Sequence, residues 1–406
     1  MTRLVSFLPV IALFVGSAGS AGQERSPTNV NEAPSAATLE LRRHFMDPWV
    51  NALTFHSIDS IFNTQQVARG GPVQTLPRAE RPLDFTYSYG GHAWPAESVL
   101  ERTFTNALLI MKDGKVVYER YRNQTTPEKR FLSMSMAKSI TSILVGIAID
   151  EGKIRSLDDQ IVTYIPELRG SAYDGVTIRN AIDMKTGVDR ADADQLKPGS
   201  PGAAMREQVL IRNVLPAAEE ALMVKRKAPP GGQFDYSTLN TTVLGWVLEK
   251  ATGKPLTDYT SEKLWSRLGA EADAFWMISG TGAKARPFNG LGFNATLRDY
   301  GRVGMMMLDG GTVGRTRIVS RLWVDESVGG THLPTSPGSS TGYKHFWWTV
   351  PGSPAYMAVG LQGQYIFVDP SSRTVVVKLS YEPLGAREAA NEARVFFAAA
   401  SRWQPK

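Results

Sequence analysis

The chain has 406 residues, 42% of them hydrophobic and 21% charged, and no cysteine. That is enough material for a large core or two sub-domains, and it excludes disulfides, a thiolate nucleophile, cysteine-bound zinc or iron–sulfur clusters and a lipid anchor on cysteine. Lys and Arg number 45 against 39 Asp and Glu, a net charge of +6, but the basic residues are scattered rather than gathered in runs, so nucleic acid is not an expected partner.

In chain order, Arg3 is followed by an apolar run from Leu4 to Val15 and a small-residue stretch ending at Ala21. This pattern predicts a signal peptide over residues 1–21, cleaved near Ala21, and a periplasmic or secreted product. The run is too short to cross a hydrocarbon layer of about 30 Å and no later stretch approaches that length, so no stable membrane insertion is expected. Residues 22–38, rich in Ser, Pro, Asn and Glu, predict a flexible leader. Residues 39–100 form an N-terminal extension with apolar clusters (Phe55, Ile58, Ile61, Phe62) among Pro and Gly, expected to wrap irregularly over the main domain.

Regular structure becomes legible at Ala107–Met111 and Val116–Tyr121, two β-rich runs flanking Asp113-Gly114. An Asp-Gly pair accepts the positive φ angles of a tight hairpin turn. A second hairpin is predicted from Tyr365–Val368 and Thr374–Lys378, followed by a helix over Ala386–Ala400 with an apolar stripe at Ala390, Ala393, Phe396, Phe397 and Ala400. Hairpins near both ends can share one antiparallel sheet. The expectation is therefore an α/β (α+β) fold: an antiparallel sheet flanked by helices, built from residues 101–138 and 276–406, with an inserted helical domain at 139–275.

The chemistry centres on Ser135-Met-Ala-Lys138. Apolar residues at Ile140, Ile143, Leu144, Ile147 and Ala148 recur at helical spacing, placing Ser135 at the start of a helix with Lys138 one turn on, on the same face. A serine hydroxyl is a weak nucleophile until a neighbouring base takes its proton, and a neutral amine can do so. That requires the lysine pKa to fall from about 10.4 by roughly three units, which burial and a helix N-terminus favour. The tetrad alone is weak, because the Ser and Lys content supplies about one S-x-x-K match by chance; a helix-capping serine followed by a surface lysine has the same spelling. About a hundred residues on, a Gly-Pro-rich loop presents Tyr236 just before another helix. A phenol there can pass a proton to a leaving group, or it can be an ordinary half-buried tyrosine.

Order and spacing together are more specific. The hairpin at Asp113-Gly114, Ser135-x-x-Lys138, the run Asp150–Ile154 to Tyr164-Ile-Pro166, Val176–Asn180 leading to Met184–Gly187, Phe234-Asp-Tyr236-Ser237 leading to Leu244-Gly245, and Ala295–Asp299 resemble the serine β-lactamase-fold (S-x-x-K) hydrolase family. Within it they resemble the class C, esterase and nylon-oligomer (aminohexanoate-dimer) hydrolase branch. The resemblance covers about residues 106–381 and implies a β-lactamase/transpeptidase-like fold, with Ser135 as acylated nucleophile, Lys138 as its base and Tyr236 as proton shuttle. It implies an oxyanion hole from the backbone N–H groups of Ser135 and Leu361, with substrate contacts from the same run at Gly360, Gln362 and Gly363. Asn240 is a candidate contact standing in for the family's asparagine, and the aromatic run Phe346-Trp347-Trp348, Trp347 among it, reads equally as cleft lining for the substrate or as the core packing of a strand.

Two departures from the family pattern bear on substrate. Thr238 stands where a Tyr-x-Asn asparagine is expected, with Asn240 two residues on. A literal Lys185-Thr186-Gly187 lies upstream of Tyr236, outside the slot of the family's Lys-Thr-Gly strand; in the proper slot, Ala358 to Gln364, the basic residue is missing. Without that cation a penicillin loses a charge-assisted anchor. The expectation is a secreted serine hydrolase forming an acyl-enzyme on a small ester or amide. The alternatives are a β-lactamase or D-amino-acid peptidase, and a non-catalytic wall- or partner-binding relative. No cofactor is implied. The histidines (His44, His56, His92, His332, His345) never fall at i, i+4 around an acid, so no metal site is expected either.

Overall fold

The computed structural model describes residues 33–329, 335–336 and 339–405; the expected signal peptide and most of the expected leader lie outside the described residues. The first hairpin forms from strands Thr105–Lys112 and Lys115–Tyr121. Its turn has φ of 48° at Asp113 and 78° at Gly114, the paired positive angles of a two-residue hairpin turn. The second forms from Gln364–Asp369 and Thr374–Ser380. Thr374–Ser380 pairs antiparallel with Thr105–Lys112, so distant parts of the chain share one seven-stranded sheet, ordered Gly342–Lys344, Trp347–Thr349, Tyr356–Gly360, Gln364–Asp369, Thr374–Ser380, Thr105–Lys112, Lys115–Tyr121.

Both faces of this sheet are covered. Ala107, Leu109, Met111, Val375 and Val377 join one core, while Leu108, Ile110 and Val376 join another on the opposite face. Burial on both faces explains why these strands spell continuous apolar runs instead of alternating with polar residues. The first core contains helix Met136–Asp150, in which every residue from Met136 to Ala148 is buried, and helix Leu297–Leu308. Gly146 lets the first of these approach Trp323: a Cβ there would lie 2.5 Å from the indole. The second core contains helix Arg387–Arg402. Of its expected stripe, Ala393, Phe396, Phe397 and Ala400 are fully buried and Ala390 only partly so.

The N-terminal extension is more regular than expected. Thr64–Val67 is a strand pairing with Ala274–Ser279, in a second sheet that also holds Phe293–Ala295 and Phe131–Leu132. Thr86–Tyr89 and His92–Pro95 form a hairpin, and Phe85 stacks on Phe396 at 5.7 Å. The polar spelling of this segment hid elements whose stability comes from packing on distant partners. Residues 139–275 are helical and loop in build, their first strand beginning only at Ala274.

Candidate active site

Strand Phe131–Leu132 points the chain at Ser135. It is fixed by hydrogen bonds from the Leu132 N–H to the Phe55 carbonyl and from the Ser133 N–H to the Phe293 carbonyl, both 2.8 Å. Met134 then takes φ of 45°, a left-handed conformation costly for a side-chain-bearing residue and common at functional turns. Ser135 begins the helix, yet its hydroxyl makes no capping bond to the helix backbone. Instead Lys138 Nζ lies 3.0 Å from Ser135 Oγ.

Lys138 is not a surface lysine. It is 1% exposed, and Nζ also donates to Thr238 Oγ1 at 2.8 Å and to the Gly290 carbonyl at 2.9 Å. Burial pulls its pKa down to about 8, with Asp192 opposing the fall and Arg190 assisting it. A buried amine without an adjacent carboxylate ion pair is what a neutral base at moderate pH requires.

Tyr236 is carried by a loop tied to Met184 through the Asp235 N–H, which donates to the Met184 carbonyl at 2.8 Å. Its ring lies 4.9 Å from Lys138 Nζ and stacks on Trp348, centroids 5.8 Å and planes 29° apart. Burial holds the phenol well above its usual pKa, opposed by a hydrogen bond with Ser135, so at neutral pH it is a proton donor. Lys185, Thr186 and Gly187 belong to the support of this loop: the Lys185 carbonyl accepts from the Gly231 N–H at 2.7 Å, and Gly187 (φ 69°) abuts the Ala228 carbonyl.

Ser135 and Tyr236 open onto a cleft of about 330 Å³. Gly360, Leu361, Gln362 and Gly363 form one wall, and Trp348, Arg387, Ala390 and Arg394 line it as well. Gly360 ends strand Tyr356–Gly360 against the serine turn. Leu361, 44% exposed, thus reaches the same cleft as Ser135. Gln362 has φ of 60°, and its carboxamide donates to the Met46 and Glu382 carbonyls, both 2.9 Å. It buttresses the turn from within.

Two expected substrate contacts lie elsewhere. Asn240 is fully buried and its carbonyl accepts from Tyr173 Oη at 2.9 Å and Thr186 Oγ1 at 3.1 Å. One helical turn past the loop, its side chain points into the core. Trp347 is also fully buried, edge-on to Tyr356 at 5.5 Å. Because strand side chains alternate, its neighbour Trp348 faces the cleft. Sequence reasoning missed Thr238 as the lysine's partner, although it occupies the Tyr-x-Asn slot, and missed Asp192, Arg387 and Arg394. The two arginines are seven residues apart on one face of helix Arg387–Arg402, a signal visible once that helix is placed. Among the described residues no group of His, Asp or Glu is arranged to hold a metal ion, and no helix is long and apolar enough to cross a membrane.

Comparison with known proteins gives a consistent picture. A family profile described as Beta-lactamase matches residues 100–400. The 6-aminohexanoate-dimer hydrolase of Paenarthrobacter ureafaciens is 33% identical over 301 residues, covering 71% of this chain and 75% of that protein. A solved structure from Bacillus anthracis, provisionally named a 6-aminohexanoate-dimer hydrolase, superposes with a TM-score of 0.80 at 24% identity, covering 91% of this chain and 98% of the other. A class C beta-lactamase structure superposes with a TM-score of 0.55 at 15% identity over 75% of this chain and 93% of its own.

Proposed function

The chain belongs to the beta-lactamase family, and from that membership we propose that it is an exported serine hydrolase forming an acyl-enzyme on small linear amides or esters. The observation that carries this reading is the 3.0 Å contact between Ser135 Oγ and a buried Lys138 Nζ on the floor of a cleft that Tyr236 also lines.

In this reading the neutral Lys138 amine takes the Ser135 proton as Oγ attacks the substrate carbonyl carbon. The π pair moves onto the carbonyl oxygen, which the Ser135 and Leu361 backbone N–H groups receive. Collapse expels the amine or alcohol with a proton from the Tyr236 phenol, and the proton that Lys138 took restores the phenol by exchange through the solvent-open cleft. Net, the serine proton leaves with the first product. Water then attacks the acyl-enzyme under the same base and the same oxyanion donors.

The cleft's cations favour one substrate shape. Ala358, in the slot of the family's strand cation, is fully buried in the core. The cations that line the cleft are Arg387 and Arg394 on the C-terminal helix; the buried Nε of Arg394 has no hydrogen-bond partner among the described residues. A guanidinium pair there suits a carboxylate at the end of a flexible chain. The compound named for the Paenarthrobacter relative, a 6-aminohexanoate dimer, is a linear amide ending in such a carboxylate. Export rests on Arg3, the Leu4–Val15 run and the small residues to Ala21.

The test is a panel of p-nitrophenyl esters, linear ω-amino-acid dimers and nitrocefin, run with wild type and Ser135→Ala. The expected result is ester and amide turnover that Ser135→Ala abolishes, with little nitrocefin turnover. Full ester hydrolysis by Ser135→Ala would refute the nucleophile assignment, and efficient nitrocefin turnover would refute the substrate assignment.

A further inference from the structure

We propose that Asp192 is a positioning residue of the reaction, acting through Thr238 to aim the lone pair of the Lys138 amine at Ser135. This rests on the assignment of Ser135 and Lys138 above.

Three oxygens surround Lys138 Nζ: Ser135 Oγ, Thr238 Oγ1 and the Gly290 carbonyl. A carbonyl oxygen can only accept, so one N–H goes to Gly290. A threonine hydroxyl can donate or accept, and Asp192 decides which. Its Oδ2 accepts the Thr238 hydroxyl proton, while its Oδ1 accepts the Thr238 backbone N–H at 2.8 Å. With that proton committed to a carboxylate, the Thr238 oxygen can meet Nζ only as an acceptor, and it takes the second N–H of the neutral amine. The tetrahedral direction that remains, occupied by the lone pair, faces Ser135 Oγ. When the serine O–H bond breaks and the new N–H bond forms, the ammonium has three N–H groups for the same three oxygens, so no atom need move.

Asp192 is itself held in place. Arg190 Nη1 donates to it at 3.0 Å and Gln195 Nε2 at 3.2 Å, and Arg190 Nε is anchored on Glu220 at 2.5 Å. The charged and titratable groups around the amine are therefore Asp192, Arg190 with Glu220 behind it, and Tyr236, which presents its ring face. Nothing in the spelling around Asp192, forty-six residues before Thr238, marks it.

Asp192→Asn tests the relay while keeping the side-chain shape. A carboxamide nitrogen can donate to Thr238, freeing that hydroxyl to donate to the amine and compete with Ser135 for the lone pair. The expected result with p-nitrophenyl butyrate is a kcat lower by about 10- to 100-fold and a nearly unchanged KM. Loss of the Asp192 charge also lowers the proton affinity of Lys138, so the acid limb of the kcat/KM profile moves to lower pH. Thr238→Ser keeps most of the activity, and Thr238→Val falls with Asp192→Asn. An Asp192→Asn enzyme with wild-type kcat and an unmoved acid limb, or a fully active Thr238→Val, would overturn the relay. Ser135→Ala run beside them separates the two ideas: if it stays active the serine assignment fails, whatever Asp192→Asn does. Thermal melts of each variant report folding, and if Asp192→Asn does not fold the Thr238→Ser and Thr238→Val pair decides.

Discussion

Gly360 meets the Ser133 carbonyl so closely that a Cβ on Gly360 would sit 2.2 Å from that oxygen. Here the large sheet touches the serine turn, bringing Leu361 and Ser135 into one cleft. Backbone on both sides leaves no flexible side chain to give way. Gly360→Ala is expected to cost about 1–3 kcal/mol of stability and to lower kcat/KM on the order of a hundredfold by spreading the oxyanion donors. Thermal melts and ester kinetics read both effects; an enzyme of wild-type activity would mean the strand and turn need not touch.

Trp347 and Trp348 are adjacent and predicted to behave differently. Trp347→Ala opens a cavity in the core and should cost about 3–5 kcal/mol. Trp348→Ala removes the half-buried ring that stacks on Tyr236 and meets Tyr343 and should cost less stability than Trp347→Ala while lowering kcat about tenfold, the scale of a misplaced proton donor.

The pH profile follows from Lys138. Its pKa is lowered to about 8, chiefly by burial, and only the neutral amine can accept the serine proton. Activity on an uncharged ester should therefore rise with pH, nearly tenfold per unit below about 8, and level off above it. Lys138→Arg, which stays cationic throughout, should be inactive across the whole range.

Arg387 and Arg394 predict a specificity split. Charge-assisted hydrogen bonds contribute about 1.5–3 kcal/mol, so Arg394→Ala should raise KM about 10- to 100-fold for substrates ending in a carboxylate. It should hardly affect p-nitrophenyl acetate. Steady-state kinetics on matched free-acid and methyl-ester substrates measures the difference.

What the sequence discloses follows how local each signal is. The Asp113-Gly114 turn, the serine helix and the Phe396–Phe397 stripe are spelled within a few residues and occur where expected. The extension before residue 100 owes its strand Thr64–Val67 to a partner over two hundred residues away, which no local pattern reports. In the site, Ser135, Lys138 and Tyr236 stand in motifs and meet in space. Asn240 and Trp347 miss the cleft by one turn or one strand position, because a motif fixes the neighbourhood of a side chain and the backbone phase fixes its direction. Asp192 acts by proximity alone and has no motif.

The central claim is that Ser135 is acylated. Wild-type protein treated with a fluorophosphonate and analysed by intact-mass and peptide mass spectrometry should gain one adduct, on Ser135, with hydrolysis lost in step; Ser135→Ala should gain none. No adduct on the folded wild type, or an adduct elsewhere that tracks the loss of activity, would contradict the account.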